Sequence, residues 1–213
     1  MMAKRTITNY TNPSHKTPKD GVELARSFPT KRERDAGYMK LFLAHVHIDG
    51  HIRVASDGFR LHMGQNTTGE AGCKVCKDNH YTYPDYHVVI PTKFDHYAIV
   101  DATELRVIAS KIGFTKDEDG KYPEKLKLTF ENYNLKVSTV NGETNERTNY
   151  LSDGGLSGDF GISGRFLIDA IDHVAPEGGQ IEIKLSKPNS PIMVRKMDGH
   201  ENEFAIIMPI YLP

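Results

Sequence analysis

Ala102-Thr103-Glu104-Leu105-Arg106-Val107-Ile108-Ala109-Ser110-Lys111-Ile112 is the stretch on which the fold turns. Leu105, Ile108, Ala109 and Ile112 recur at three- and four-residue spacing and make one apolar stripe, so the segment reads as a helix with a single buried face. Two strands follow, Leu126–Phe130 and Leu135–Val140, around Asn132-Tyr133-Asn134. The same order returns downstream. Ser163–Val174 directs Phe166, Leu167, Ala170, Ile171 and Val174 inward, with Ser163 as N-cap. Strands Ile181–Leu185 and Ile192–Met197 then surround a Pro-Asn-Ser-Pro turn, and Phe204–Leu212 closes the pattern. A shorter version lies upstream. Leu24 and Phe28 form an i, i+4 pair in Val22–Phe28, a charged connector follows (Lys31 to Asp35), and Met39–Ile48 returns through Asp49-Gly50 as His51–Ala55. Helix starts near 102 and 163 lie about 60 residues apart, a unit too large and too β-rich for a solenoid. Strands on one side and helices on the other predict an α+β architecture with antiparallel sheets.

The chain has 213 residues, 38% hydrophobic and 26% charged, which is a globular balance with enough length for a real core. Lys+Arg 27 against Asp+Glu 28 gives a net charge of -1, which excludes wrapping nucleic acid by overall charge and leaves only a local basic face. No apolar run approaches the length of a membrane-spanning helix, and MMAKRTITNYTNPSHK has no signal-peptide core. The two cysteines, Cys73 and Cys76, argue against a disulfide scaffold. A soluble, cytoplasmic protein is the expectation. Residues 1–21, polar and interrupted by Pro13 and Pro18, read as a flexible arm, and 64–82 as a polar loop rich in Gly, Thr, Asn and Lys.

Three segments resemble the bacterial sliding clamp, the β subunit of DNA polymerase III. Val54-Ala55-Ser56-Asp57-Gly58-Phe59-Arg60-Leu61 is similar to the family's V-A-T-D-G-H-R-L strand and turn. Tyr83-Pro84-Asp85-Tyr86-His87-Val88-Val89-Ile90-Pro91 resembles its F-P-D-Y-x-x-V-[LI]-P connector, and Ile206-Ile207-Met208-Pro209-Ile210-Tyr211-Leu212 its closing V-V-M-P-[MI]-R-L. Their order matches the family's. The resemblance implies a DNA-clamp-like fold of repeated helix-plus-strands units: residues 22–95 as half of a clamp-like domain, with loop 64–82 and connector 83–95, and 96–213 as a complete C-terminal clamp-like domain. It also implies that the three segments converge on one peptide-binding pocket. The residues are Met39, Ser56, Gly58, Phe59, Arg60 and Leu61, then Pro84, Val88 and Val89, then Ile206, Met208, Pro209 and Ile210. Met39 enters because it precedes Asp57 at the spacing where the family places an apolar pocket residue. Phe59, Val88 and Tyr211 replace the family's His, Arg and Arg, and each exchange makes the pocket more apolar.

The implied role is non-enzymatic: a replication or repair docking and processivity factor that binds short linear peptides of a DNA polymerase or repair protein. It would encircle or contact DNA without reading sequence, with room for a clamp loader, and would self-associate as a homo-oligomer, the N-terminal unit (22–63) taking part. A variant drops the ring and keeps the pocket, as an adaptor or competitor for clamp-binding peptides. Basic residues on helical segments are the candidates for phosphate contact: Arg26, Lys31, Arg32, Arg106, Lys111 and Arg165. Two metal readings compete. His45 and His47 share a strand face, with His51 or His62 near, and approach the ligand pattern of a metal-dependent hydrolase. The plainer reading is an exposed strand face opposite Phe42, Ala44, Val46 and Ile48. Cys73, Cys76, His80 and His87 have zinc-ligand chemistry at partial spacing, so a structural zinc is the one cofactor considered, against two free thiols in a loop. No phosphate-binding loop and no nucleophile elbow occurs.

Overall fold

The computed structural model describes residues 46–66, 83–113, 125–142, 145–152 and 155–212. The expected arm, the helix Val22–Phe28, Met39 and most of loop 64–82 lie outside the described residues.

Two helices pack on two antiparallel sheets. Helix α1 spans Ala102–Gly113 and buries the expected stripe, Leu105, Ile108, Ala109 and Ile112. Helix α2 spans Gly164–Val174 and starts where Ser163 Oγ accepts the Phe166 N–H at 3.4 Å. The larger sheet contains eight strands in the order β1 (His47–Asp49), β2 (Ile52–Ser56), β3 (Arg60–Gln65), β12 (Phe204–Ile207), β11 (Ile192–Lys196), β10 (Gln180–Leu185), β4 (His96–Asp101) and β8 (Leu151–Ser152). The smaller runs β7 (Asn145–Asn149), β6 (Asn134–Thr139), β5 (Lys125–Glu131), β9 (Gly158–Ser163). Strand β4 leads directly into α1 but pairs with β10, while β9 leads into α2 and pairs with β5. The two helical units therefore exchange their lead strands. Their common core is filled by residues such as Phe130, Leu128, Leu167, Ile171, Ile181 and Ile183.

Strands β1–β3 do not form a separate body. Strand β3 pairs with β12, Leu61 opposite Ile206 and Met63 opposite Phe204, so the N-terminal meander continues the sheet of the last unit. Alternation sets the two faces of this junction. Ala55, Arg60, His62, Ala205 and Ile207 face the helices, whereas Val54, Leu61, Met63, Met193, Phe204 and Ile206 face the connector, whose Tyr83 and Tyr86 complete that second cluster.

Three expectations shift. The β1–β2 loop is Gly50-His51, since Asp49 pairs with Ile52; the turn lies one residue later than an Asp-Gly loop, so Gly50, left-handed at φ 58°, fills its first position instead of its second. The last strand ends at Ile207, not Leu212, because Pro209 has no N–H for a ladder and the chain leaves the sheet there. The face carrying His47 is not open: it is half-buried beneath Tyr83, with ring centroids 4.4 Å apart. Val46 packs against Ala55 on the opposite face, as expected.

Candidate functional site

The turn between β2 and β3 is held by its own side chains. Asp57 Oδ1 accepts the N–H groups of Phe59 (2.9 Å) and Arg60 (3.0 Å), and Ser56 Oγ accepts the Gly58 N–H and donates to the Arg60 carbonyl. Gly58 takes φ 88°, a left-handed position that suits glycine. Arg60 turns inward instead of lining an opening. Its Nε donates to Asp57 Oδ2 at 3.0 Å, a guanidinium nitrogen donates to Asp169 on α2, and the ring of Phe166 lies 4.4 Å away. Burial pushes the Asp169 carboxyl above its usual range even with the Arg60 guanidinium against it. The result is a rigid turn that leaves Phe59 57% exposed at its tip.

The C-terminal segment crosses this tip. Met208 N–H donates to the Phe59 carbonyl and Ile210 N–H to the Gly161 carbonyl on β9, both at 2.9 Å, so the segment straps the two sheets together. A Cβ on Gly161 would lie 2.1 Å from the Ile210 carbonyl oxygen, so glycine makes this approach possible. Beyond the strap, a cleft of about 390 Å³ opens between β5, β9, the 188–189 turn and residues 210–212, with Lys127 and Asp159 paired at its edge.

The connector forms the third wall. Asp85 caps a single 3-10 turn, Tyr86–Val89, and the His87 hydrogen bond holds its carboxyl below the usual range. Tyr86 is buried, donates to Asp49 at 3.0 Å, and is pushed up to about 12 by burial and that bond. The structure thus brings the three sequence segments to one junction. Leu61, Ile206 and Arg60 are closed inside it. Phe59, Val88, Val89, Met208 and Pro84 stand on its surface, with Ser56, Pro209 and Ile210 half-buried. Tyr211, 74% exposed, joins them. The sequence reading passed over Gly161 and the Lys127–Asp159 pair, and gave no sign that Asp57 and Asp169 both hold Arg60.

The candidates for phosphate contact sit differently. Arg106 pairs with Asp172 at 2.8 Å, Lys111 with Glu146, and Arg165 lies 3.8 Å from Asp169, so each described cation meets an acid. Arg26, Lys31 and Arg32 lie outside the described residues. The histidines separate as well. His47 faces the connector, His62 faces α2 and stacks on His173 with centroids 4.7 Å apart, and His51 is exposed in the turn. His87 Nδ1 is 3.0 Å from Asp85. Among the described residues no group of three or more metal-ligating side chains assembles. His45, Cys73, Cys76 and His80 lie outside them. No described helix is long and apolar enough to cross a membrane.

Exchanged lead strands, helices packed on antiparallel sheets and sheets continued from unit to unit define the sliding-clamp class of fold. The model of the DNA polymerase III beta subunit, C-terminal domain, matches residues 87–211, and the chain belongs to that family. The Pseudomonas aeruginosa DNA polymerase sliding clamp superposes with a TM-score of 0.66 at 20% identity, covering 91% of this chain and 62% of that one. The Thermotoga maritima beta subunit gives 0.67 at 18%, over 91% and 63%. The Bartonella birtlesii sliding clamp, solved bound to griselimycin, gives 0.68 at 17%, over 90% and 62%. The chain thus spans less than two thirds of these solved clamps. No curated protein matches it.

Proposed function

We propose that the chain is a non-enzymatic, clamp-like docking factor of DNA replication or repair, which takes short apolar peptides of a polymerase or repair protein at the junction of Phe59, the connector and the C-terminal segment. The observation that carries this reading is the strap: Met208 bonds the exposed Phe59 turn while Ile206 and Tyr86 share the cluster beneath it. Apolar residues remain on the rim of a rigid junction, the arrangement suited to a short segment anchored by side chains with few polar fixers. Tethering a partner this way raises its local concentration on DNA without chemistry and needs no metal.

Griselimycin is the available probe, since the Bartonella birtlesii clamp was solved bound to it. Titration should saturate at one site per chain, and Phe59→Ala or Met208→Ala should weaken binding tenfold or more with the melting temperature unchanged. Undiminished binding by both variants, or by a chain lacking residues 209–213, would sink the pocket. DNA contact is a separate arm of the proposal. The acids beside Arg106, Lys111 and Arg165 favour the adaptor variant, in which peptide is captured without encircling DNA. A steep fall of duplex affinity with salt, lost in Arg106→Gln/Lys111→Gln, would instead support direct phosphate contact. Self-association through residues 22–63 belongs to the same proposal.

A further inference from the structure

The outward face of the smaller sheet carries cations away from the junction. Leu128, Leu135 and Val137 fill the core, so Lys127, Lys136 and Ser138 point the other way. On β7, Glu146 and Thr148 reach α1, which leaves Arg147 on the outward face as well. Register sets Asp159, Thr129, Lys136 and Arg147 in one row across β9, β5, β6 and β7. Gly161, Lys127, Ser138 and Asn145 make the row beside it. Among the described residues neither Lys136 nor Arg147 meets an acid, although they stand directly opposite each other. The two-residue β5–β6 turn closes on a bonded Glu131–Asn134 pair, so Lys136 bonds to β5 and not to β7. Lys136 and Arg147 are therefore a non-hydrogen-bonded pair, the closer kind, with about 4.5 Å between Cα atoms.

Like charges directly opposite destabilise a sheet, so an anion seated on this pair would relieve a cost the chain otherwise bears. The acid within the row is already occupied: Asp159 lies 3.4 Å from Lys127 Nζ and accepts from the Thr129 hydroxyl at 2.6 Å. Glu131 stands at the far end of β5, opposite Asn134. Ser138 supplies a second sign. It is 1% exposed, and among the described residues its Oγ has no hydrogen-bond partner, although a buried hydroxyl ordinarily has one. We infer that Lys136 and Arg147, with Lys127 and Ser138 beside them, take the carboxylates of an acidic segment flanking the apolar anchor of a docked peptide. This rests on the docking reading above. Lys127 also borders the cleft beyond the strap, whose walls include Val140, Ile210 and Leu212. From Gly161, under the strap, Lys136 is two strand spacings away, about 10 Å, which three or four extended residues span. Apolar walls leading to the cations suit peptide side chains and not a sugar-phosphate backbone, which favours an acidic peptide over nucleic acid.

The test uses the full 213-residue chain and two synthetic peptides, Phe-Leu-Gly-Gly-Glu-Glu-Glu and its twin with Gln for Glu, each made with the anchor first and with the tail first. The better acidic version should bind about tenfold tighter than its twin at low salt, and the advantage should shrink as salt rises. Lys136→Gln/Arg147→Gln should abolish the advantage, keep griselimycin binding, and raise the urea midpoint because the repulsion is gone. Equal affinities for the twins, an advantage that survives the double variant, or an unchanged urea midpoint would overturn the inference. So would loss of griselimycin binding in that variant, which would place the two residues in the junction itself. A duplex oligonucleotide held at these residues more tightly than the acidic peptide would assign the face to nucleic acid and overturn it as well. A parent chain that fails to bind griselimycin sinks the docking reading instead, and the row then stands or falls on whether hexaglutamate shifts the Lys136 and Arg147 amide resonances.

Discussion

Arg60 illustrates what a single residue decides here. Its guanidinium is buried between Asp57 and Asp169, residues separated by more than a hundred positions, and it fixes the β2–β3 turn to α2. Removing it leaves the buried Asp57 and Asp169 carboxylates close together, with only the half-exposed Arg165, 3.8 Å from Asp169, as a remaining counter-charge. Arg60→Met should cost about 3–5 kcal/mol in urea unfolding, and Arg60→Met/Asp169→Leu should cost less than the sum of the single changes. A single-variant loss under 1 kcal/mol would show that the pair is solvated in solution. At this scale the sequence was only half legible. The D-G-F-R turn was recognisable from its resemblance, and Phe59 and Met208 do stand at the surface. Alternation could not say that Arg60, Leu61 and Ile206 point into packed faces, because which face is covered depends on a connector arriving from elsewhere in the chain. An ion pair between residues so distant leaves no local signature at all.

Elements whose period is long and whose caps are local were the readable ones. The stripes of α1 and α2, the Ser163 cap and the Asn132-Tyr133 turn, where φ is 48° and 61°, all follow from neighbours in sequence. The Ser163 bond is long, so Ser163→Ala should cost toward the low end of the cap range, about 0.5–1 kcal/mol, measured by thermal unfolding. A larger loss would mean that Ser163 holds more than the helix start. The closing strand was overextended because alternation persists past Ile207 while Pro209 and the reach to β9 end the ladder. That reach depends on Gly161. Gly161→Ala should lift the C-terminal segment off β9, so the Ile210 amide exchanges faster by tenfold or more while amides of β10 and β11 keep their protection. Unaltered Ile210 exchange would mean that the segment is held by its side chains alone.

For the whole molecule, the continuous eight-stranded sheet was the least legible feature, since edge-to-edge pairing of β3 and β12 writes nothing into either strand beyond alternation. The junction it creates contains a buried group with a measurable consequence. His173 on α2 is fully enclosed, its Nε2 2.8 Å from the Met63 carbonyl of β3, with the His62 ring stacked on it and Arg53 nearby. Burial, helped by the Arg53 charge, pushes its pKa down to about 4, against the Met63 carbonyl, which accepts from Nε2, and the neighbouring Phe204 backbone, both of which work the other way. Asp169, one helical turn earlier, is occupied by Arg60 and Arg165. The unfolded chain takes up the imidazole proton near pH 6.5, whereas the folded chain resists it until about pH 4. The stability linked to this group is therefore whole above pH 6.5 and is lost as pH falls toward 4, by up to about 3 kcal/mol. Urea midpoints measured from pH 7 to pH 4 should fall, and His173→Gln should flatten that slope even if it lowers stability at every pH. Because the imidazole sits where α2 meets β3 and β12, amides of β2 and β3 should lose exchange protection before those of β5 and β6. Equal slopes in both proteins, or simultaneous loss across both sheets, would remove His173 from the account of acid sensitivity.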